Sequence, residues 1–88
     1  MKEKIYLVHY ISEEYKNREG FKAFRHMEDA KSYVDNETAW VKDSDTLCLH
    51  TMERVADHGL WNKAILHLDE TGCRSIYAQF FIKEMEIN

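Results

Sequence analysis

The sequence contains no proline, only three glycines and only two cysteines among its 88 residues. Without proline, low-complexity stretches or internal repeats, nothing in it marks a linker between domains. Gly20, Gly59 and Gly72 are too far apart to form the glycine-rich loop that cradles a phosphate, which argues against nucleotide hydrolysis. We therefore expect a single small domain spanning residues 1–88.

Long hydrophobic runs are absent as well. No stretch of 18 or more apolar residues occurs, and the first residues lack the apolar segment and small-residue cleavage site of a signal peptide. Neither membrane insertion nor export is expected.

Cys48 and Cys73 have no zinc-site spacing, and secreted scaffolds of this size usually carry more cysteines. We predict a cytoplasmic protein with two reduced core thiols, and a single disulfide as the alternative.

Positive charge is scarce and scattered. The chain has twelve Lys and Arg residues and sixteen Asp and Glu residues, which gives a net charge of -4. The basic residues form no cluster along the chain. Contact with a phosphate backbone needs clustered basic groups, so nucleic-acid binding is not expected. Several acidic residues occur in close pairs, which could attract a basic partner, but a solvated surface explains them more simply.

The first third of the chain reads as two strands and a helix. Lys4–Ser12 is rich in β-branched and aromatic residues and apolar on both sides, which predicts a strand inside a sheet. The polar segment 13–20 predicts a hairpin loop, and a second short strand should run from Phe21 to about Arg25. From Glu28 the apolar spacing changes to that of a helix, predicted to end near Asn36, whereas residues 38–42 fit either an extension or a separate piece.

The segment from Asp45 to Gly59 has the strongest helical pattern. At 100° per residue its apolar side chains share an arc of about 120°, Asp45 can cap the start, and Gly59 can end the helix. We therefore predict a second helix here. The alternative is a strand from Thr46 to Val55 followed by a turn at 57–59, which would make the C-terminal half a three-stranded meander.

The end of the chain predicts a β-hairpin. Strands at 62–69 and 74–87 are joined by the polar loop 69–72, which contains a glycine. In the last strand Ile76, Ala78, Phe80 and Ile82 should face the core, while Tyr77 and Phe81 should lie on an exposed contact face. Together these elements predict an α+β domain, with a mostly antiparallel sheet of about four strands and one or two helices packed on one face.

Residues that could carry out chemistry do not form a convincing constellation. On the predicted second helix, His50, Glu53, Asp57 and His58 would share the polar side, which leaves a small metal protein or enzyme as an alternative function. His50 and His58 would lie about 12 Å apart on that helix, too far for one metal ion. A solvated helix face is the simpler explanation, so we predict no catalytic residue, metal ligand or cofactor.

Large aromatic residues are plentiful, in contrast. Some must fill the core, but Trp and Tyr are also enriched at the centres of protein interfaces. A chain with many aromatic side chains and no catalytic motif is better suited to binding a protein than to converting a substrate. We predict a non-enzymatic protein-binding module that covers a partner's surface, and its expected contact residues are Trp40, Trp61, Tyr77 and Phe81.

The layout is similar in general style to small phage and mobile-element proteins, including anti-CRISPR and other anti-defence inhibitors. The similarity lies in the opening strand 4–8, the loop to Arg18–Gly20, Phe24 before the helix at Glu28–Lys31, and the closing hairpin. It implies an inhibitor or adaptor and transfers no functional residue. A structural subunit that self-associates, for example as a homodimer through a strand edge, remains the other alternative.

Overall fold

The computed structural model describes residues 3–12, 19–54 and 59–87. These residues form five strands, one α-helix and one 3-10 helix. The elements, in chain order, are β1 (Glu3–Ser12), β2 (Glu19–Phe24), α1 (Met27–Thr38), the 3-10 helix (Ala39–Asp43), β3 (Leu47–Glu53), β4 (Trp61–Leu68) and β5 (Arg74–Ile87).

All five strands belong to one sheet with the order β2-β1-β5-β4-β3, and every neighbouring pair is antiparallel. The expectation of an α+β domain with a mostly antiparallel sheet is confirmed, although the sheet has five strands rather than about four. β1 lies inside the sheet, between β2 and β5, as its apolar character on both sides predicts.

The core lies between one face of the sheet and the helical segment. Val8, Phe80, Ile82 and Ile65 line that face and are fully buried. Side chains on a strand alternate between the two faces, so Tyr6 and Tyr10, two residues on either side of Val8, line this side as well. The helical segment contributes three buried apolar residues, Ala30, Val34 and Val41.

Helix α1 is predicted correctly by the sequence, with two more residues at its C-terminal end. Glu28 and Asp29 occupy its first turn, where acidic side chains interact favourably with the helix dipole. Thr38 is fully buried and donates a hydrogen bond from its Oγ1 to the Val34 carbonyl oxygen at 2.8 Å. The segment after it forms the 3-10 helix, which Val41 anchors in the core.

The predicted second helix at 45–59 is wrong, and the alternative strand is right. Residues Leu47–Glu53 form β3, which pairs with β4 from Leu47↔His67 to Glu53↔Trp61. Hydrogen bonds to β4 stabilise the extended conformation of this segment. The spacing of residues within the segment cannot reveal those bonds, because they involve a different strand. The C-terminal half is therefore a meander of β3, β4 and β5; residues 55–58 of the predicted segment lie outside the described residues.

The β4–β5 hairpin is confirmed, but it contains a bulge. Ile65 pairs with Ala78 and Leu66 pairs with Ile76, so Tyr77 has no β4 partner in the register. A residue inserted in this way turns the following side chains to the other face. As a result Ile76 does not join Ala78, Phe80 and Ile82 in the core, as its spacing predicts, but is 61% exposed on the opposite face.

The predicted loop at 13–20 is too long at its end, because Glu19 and Gly20 belong to β2; residues 13–18 lie outside the described residues. The strands on either side pair as a hairpin from Tyr6↔Phe24 to Ile11↔Glu19, as predicted. Within the described ranges no helix has both the length and the apolar character needed to span a membrane.

Candidate functional site

Two of the four predicted contact residues are buried. Trp61 is only 5% exposed and packs in the core, where it pairs with Ile82 of β5. Phe81 is only 4% exposed, because β5 is the central strand and its neighbours shield the side chain. The expectation that Phe81 lies exposed on a contact face is wrong, and neither residue belongs to the contact site that the other two form.

The other two, Trp40 and Tyr77, lie together at the surface. Their ring centroids are 6.3 Å apart and their planes meet at 67°, the edge-to-face arrangement that aromatic pairs favour. Trp40 is 42% exposed, while Tyr77 is half-buried against the core. We call this pair the aromatic corner.

A hydrogen bond that involves a backbone carbonyl oxygen helps to fix each member of the aromatic corner. The Trp40 indole Nε1 donates a hydrogen bond to the Glu37 carbonyl oxygen at 3.0 Å, and the neighbouring Val41 anchors the 3-10 helix. Tyr77 is the bulged residue of β5, and its carbonyl oxygen accepts a 2.7 Å hydrogen bond from Ser12 Oγ. The pair is thus presented with little remaining freedom, which lowers the entropic cost of binding a partner.

A cavity of about 370 Å³ opens next to Tyr77. Ile11 and Ile76 supply apolar walls, and Ser12, His67, Ser75 and Gln79 supply polar groups. A small cavity with an aromatic wall can accept one projecting side chain of a partner protein. The corner and the cavity therefore form the candidate contact site.

A second surface was missed by the sequence analysis. The face of the sheet opposite α1 has no helix over it among the described residues, and most of its side chains are apolar. We call it the open face; its apolar members are Ile5, Leu7, Ile11, Phe21, Ala23, Cys48, Met52, Ala64, Leu66, Leu68, Ile76, Phe81, Met85 and Ile87.

The alternation of residues in β2 is the sequence feature that could have revealed the open face, because it places Phe21 on the side opposite the core. Phe21 is 60% exposed and stacks on His9, with ring centroids 4.3 Å apart and planes at 6°. His9 Nε2 lies 2.9 Å from Glu19 Oε1. Met52 is not recognised as part of this face from the sequence, because the segment around it fits a helix.

The predicted polar stripe for a metal does not form, because its helix is absent. His50 and Glu53 belong to β3, where residues three apart point to opposite faces of the sheet. Asp57 and His58 lie outside the described residues. In the ranges that the structure describes, no group of three or more His, Cys, Asp or Glu residues converges as metal ligands do.

Both cysteines are free thiols in the structure. Cys48 is half-buried on the open face of β3, and Cys73 is exposed in the β4–β5 turn, so the expectation that both are core thiols is wrong. The turn that holds Cys73 is organised by Asp69, whose Oδ1 accepts hydrogen bonds from Thr71 Oγ1 at 2.7 Å, Thr71 N at 2.8 Å and Cys73 N at 2.9 Å.

Comparison of the chain with protein-family models, with curated proteins and with solved structures gives no match.

Proposed function

We propose that this chain is a non-enzymatic protein-binding module, an inhibitor or adaptor that acts by covering a partner's surface. The observation that carries the proposal is the aromatic corner, where Trp40 and Tyr77 meet at the surface beside the 370 Å³ cavity. Trp and Tyr dominate the energetics of protein interfaces, above all where a pocket adjoins them.

The surroundings of the corner suit a protein partner. The cavity combines two apolar walls with hydroxyl, amide and imidazole groups, which can hydrogen-bond to a partner's backbone. The net charge of -4 and the scattered basic residues favour a protein over a nucleic acid. The proposal places the module in the cytoplasm, where its two free thiols stay reduced.

The proposal is tested by affinity capture with three immobilised forms of the chain: wild type, Trp40→Ala and Leu49→Ala. Leu49 is an exposed apolar residue of β3 and serves as the matched control. Wild type and Leu49→Ala should retain one protein in stoichiometric amounts, identified by mass spectrometry. After reconstitution from purified components, Trp40→Ala should weaken binding by at least about tenfold, the usual effect of truncating an interface anchor.

Two results would contradict the proposal. One is the absence of any stoichiometric protein at high bait concentration in lysate of the cells that produce the chain. The other is equal binding by wild type and Trp40→Ala, which would move the contact away from the aromatic corner. Circular dichroism of each variant shows whether it is folded before its binding is compared.

A further inference from the structure

We infer that the open face is the contact surface for a second copy of this chain, so that two sheets pack face to face with the α1 helices on the outside. This surface contains neither Trp40 nor Tyr77 of the aromatic corner, and it shares only Ile11, Ile76 and Gln79 with the lining of the neighbouring cavity. The inference therefore goes beyond the proposed function and does not depend on it.

Exposure of apolar side chains is the first observation. Phe21 on the edge strand β2 and Ile76 on the central strand β5 are each more than half exposed, and Met52, Met85 and Ile87 are exposed as well. Monomeric proteins rarely leave a contiguous apolar patch of more than a few hundred Å² in water. An isolated copy would therefore bear an unfavourable free energy of hydration that a partner removes.

The area of the face fits a dimer. Five strands at a spacing of about 4.8 Å give a width of about 24 Å, and the ten residues of β1 give a length of about 33 Å. The outline is therefore roughly 800 Å², of the order that each partner of a stable protein interface contributes. Phe81, Asn62 and Ala64 at its centre are already buried within the chain, so a second copy would cover the exposed side chains around them. Twisted antiparallel sheets pack on one another in this way at a separation of about 10 Å.

Charge on the face favours a second copy over an acidic or basic partner. By strand alternation the charged residues on this side are Glu3, Glu19, Arg74 and Lys83, two of each sign, and the first three lie at strand ends. The chain carries a net charge of -4, and acidic residues such as Glu84 fall on the helix side of the sheet. The charges of these four residues sum to zero, so two open faces can meet without net repulsion, and each offers the other an equally apolar surface of equal size.

The test is the mass of the purified chain by light scattering, from low micromolar to submillimolar concentration. The chain has a mass of 10.5 kDa, and the expected result is twice that mass. Met52→Glu places a charge on the open face and should give the monomer mass. Leu49→Glu, on the same strand but the opposite face, is the matched control and should remain dimeric.

The native cysteines provide a second readout. Cys48 lies on the open face by its register with Leu66, and Cys73 lies in the exposed β4–β5 turn. Alkylation of Cys48 should slow as wild-type concentration rises, while alkylation of Cys73 should keep its rate. In Met52→Glu the rate at Cys48 should no longer depend on concentration.

Three results would overturn the inference. A monomer mass over the whole concentration range would remove the dimer, and a dimer that survives Met52→Glu would place the interface elsewhere. A monomer that binds a different protein in a manner lost with Met52→Glu would show that the open face serves another partner. None of these results alters the Trp40→Ala comparison, so the two proposals fail separately.

Discussion

Gly59 carries a constraint that no other residue type can meet. Its φ of 114° lies in the region that side chains rarely adopt, and a Cβ there would lie 2.7 Å from the Ile82 carbonyl oxygen. That same oxygen accepts the Leu60 N–H at 2.9 Å, which ties the entry of β4 to β5. Backbone geometry and a close backbone contact thus act together at one position.

We expect Gly59→Ala to lower the free energy of unfolding by roughly 2–4 kcal/mol, because it adds both strain and a clash with backbone. Gly72→Ala is the matched control: φ there is 86°, but a Cβ would meet no atom within 4 Å. The control should cost about 1 kcal/mol. Urea unfolding followed by circular dichroism measures both. Equal losses in the two variants would show that the contact with Ile82 contributes nothing.

At the scale of an element, the turn between β4 and β5 depends on one carboxylate. Hydrogen bonds from the Thr71 hydroxyl and then from the Cys73 backbone N–H lower the pKa of Asp69 below its ordinary value of 3.8. Because the folded state favours the charged form, Asp69 stabilises the fold at pH values above 3.8. This contribution is lost as the pH falls through the lower pKa of the folded state.

Asp69→Asn should therefore be less stable than wild type at neutral pH, and the difference should shrink in acid. Asparagine keeps one acceptor oxygen for the hydrogen bonds that Oδ1 accepts, while an NH2 group replaces the other oxygen and the charge is removed. Glu70→Gln, in the same turn, changes the net charge equally and should show a smaller difference at neutral pH. Urea unfolding at a series of pH values supplies the data. A wild-type advantage that persists unchanged in strong acid would contradict the assignment.

Some helices and strands can be predicted from the sequence alone, and others cannot. β1, α1 and the β4–β5 hairpin were predicted because each has a strong local pattern: apolar character on both sides, helical spacing, or a polar turn with glycine. The segment 45–59 was assigned to a helix because Cys48, Leu49 and Met52 fit one helical arc. Leu47 does not fit that helical arc, and in the structure it packs against the core from β3. Pairing with β4 overrides that local pattern, and it depends on residues that are distant in sequence.

The candidate site was less accessible to prediction than the fold. Trp40 and Tyr77 were selected for their residue type, and nothing in their spacing of 37 positions shows that they meet. Their contact depends on the bulge at Tyr77 and on the 3-10 helix that carries Trp40. The same bulge turns Ile76 onto the open face. Trp61 was selected by the same criterion, but it lies on the strand face that the helical segment covers.

For the whole molecule, the two faces of the sheet have unequal cover. Among the described residues, one α-helix and one 3-10 helix pack on one face of the five-stranded sheet and enclose an apolar layer there. A chain of this size buries only about 60–65% of the surface that it exposes when unfolded, which leaves a small margin of stability. If the open faces of two copies meet, part of the stability of each chain comes from its partner.

Thermal stability should then depend on protein concentration. For a dimer that dissociates as it unfolds, a hundredfold rise in concentration contributes about 1.4 kcal/mol per chain, which corresponds to a rise in Tm of roughly 5–10 °C. Wild type and Leu49→Glu should show this rise in melts followed by circular dichroism, and Met52→Glu should melt at one temperature throughout. A wild-type Tm that does not change with concentration would mean that each chain folds on its one covered face alone, because mass action stabilises only a native state that contains both copies.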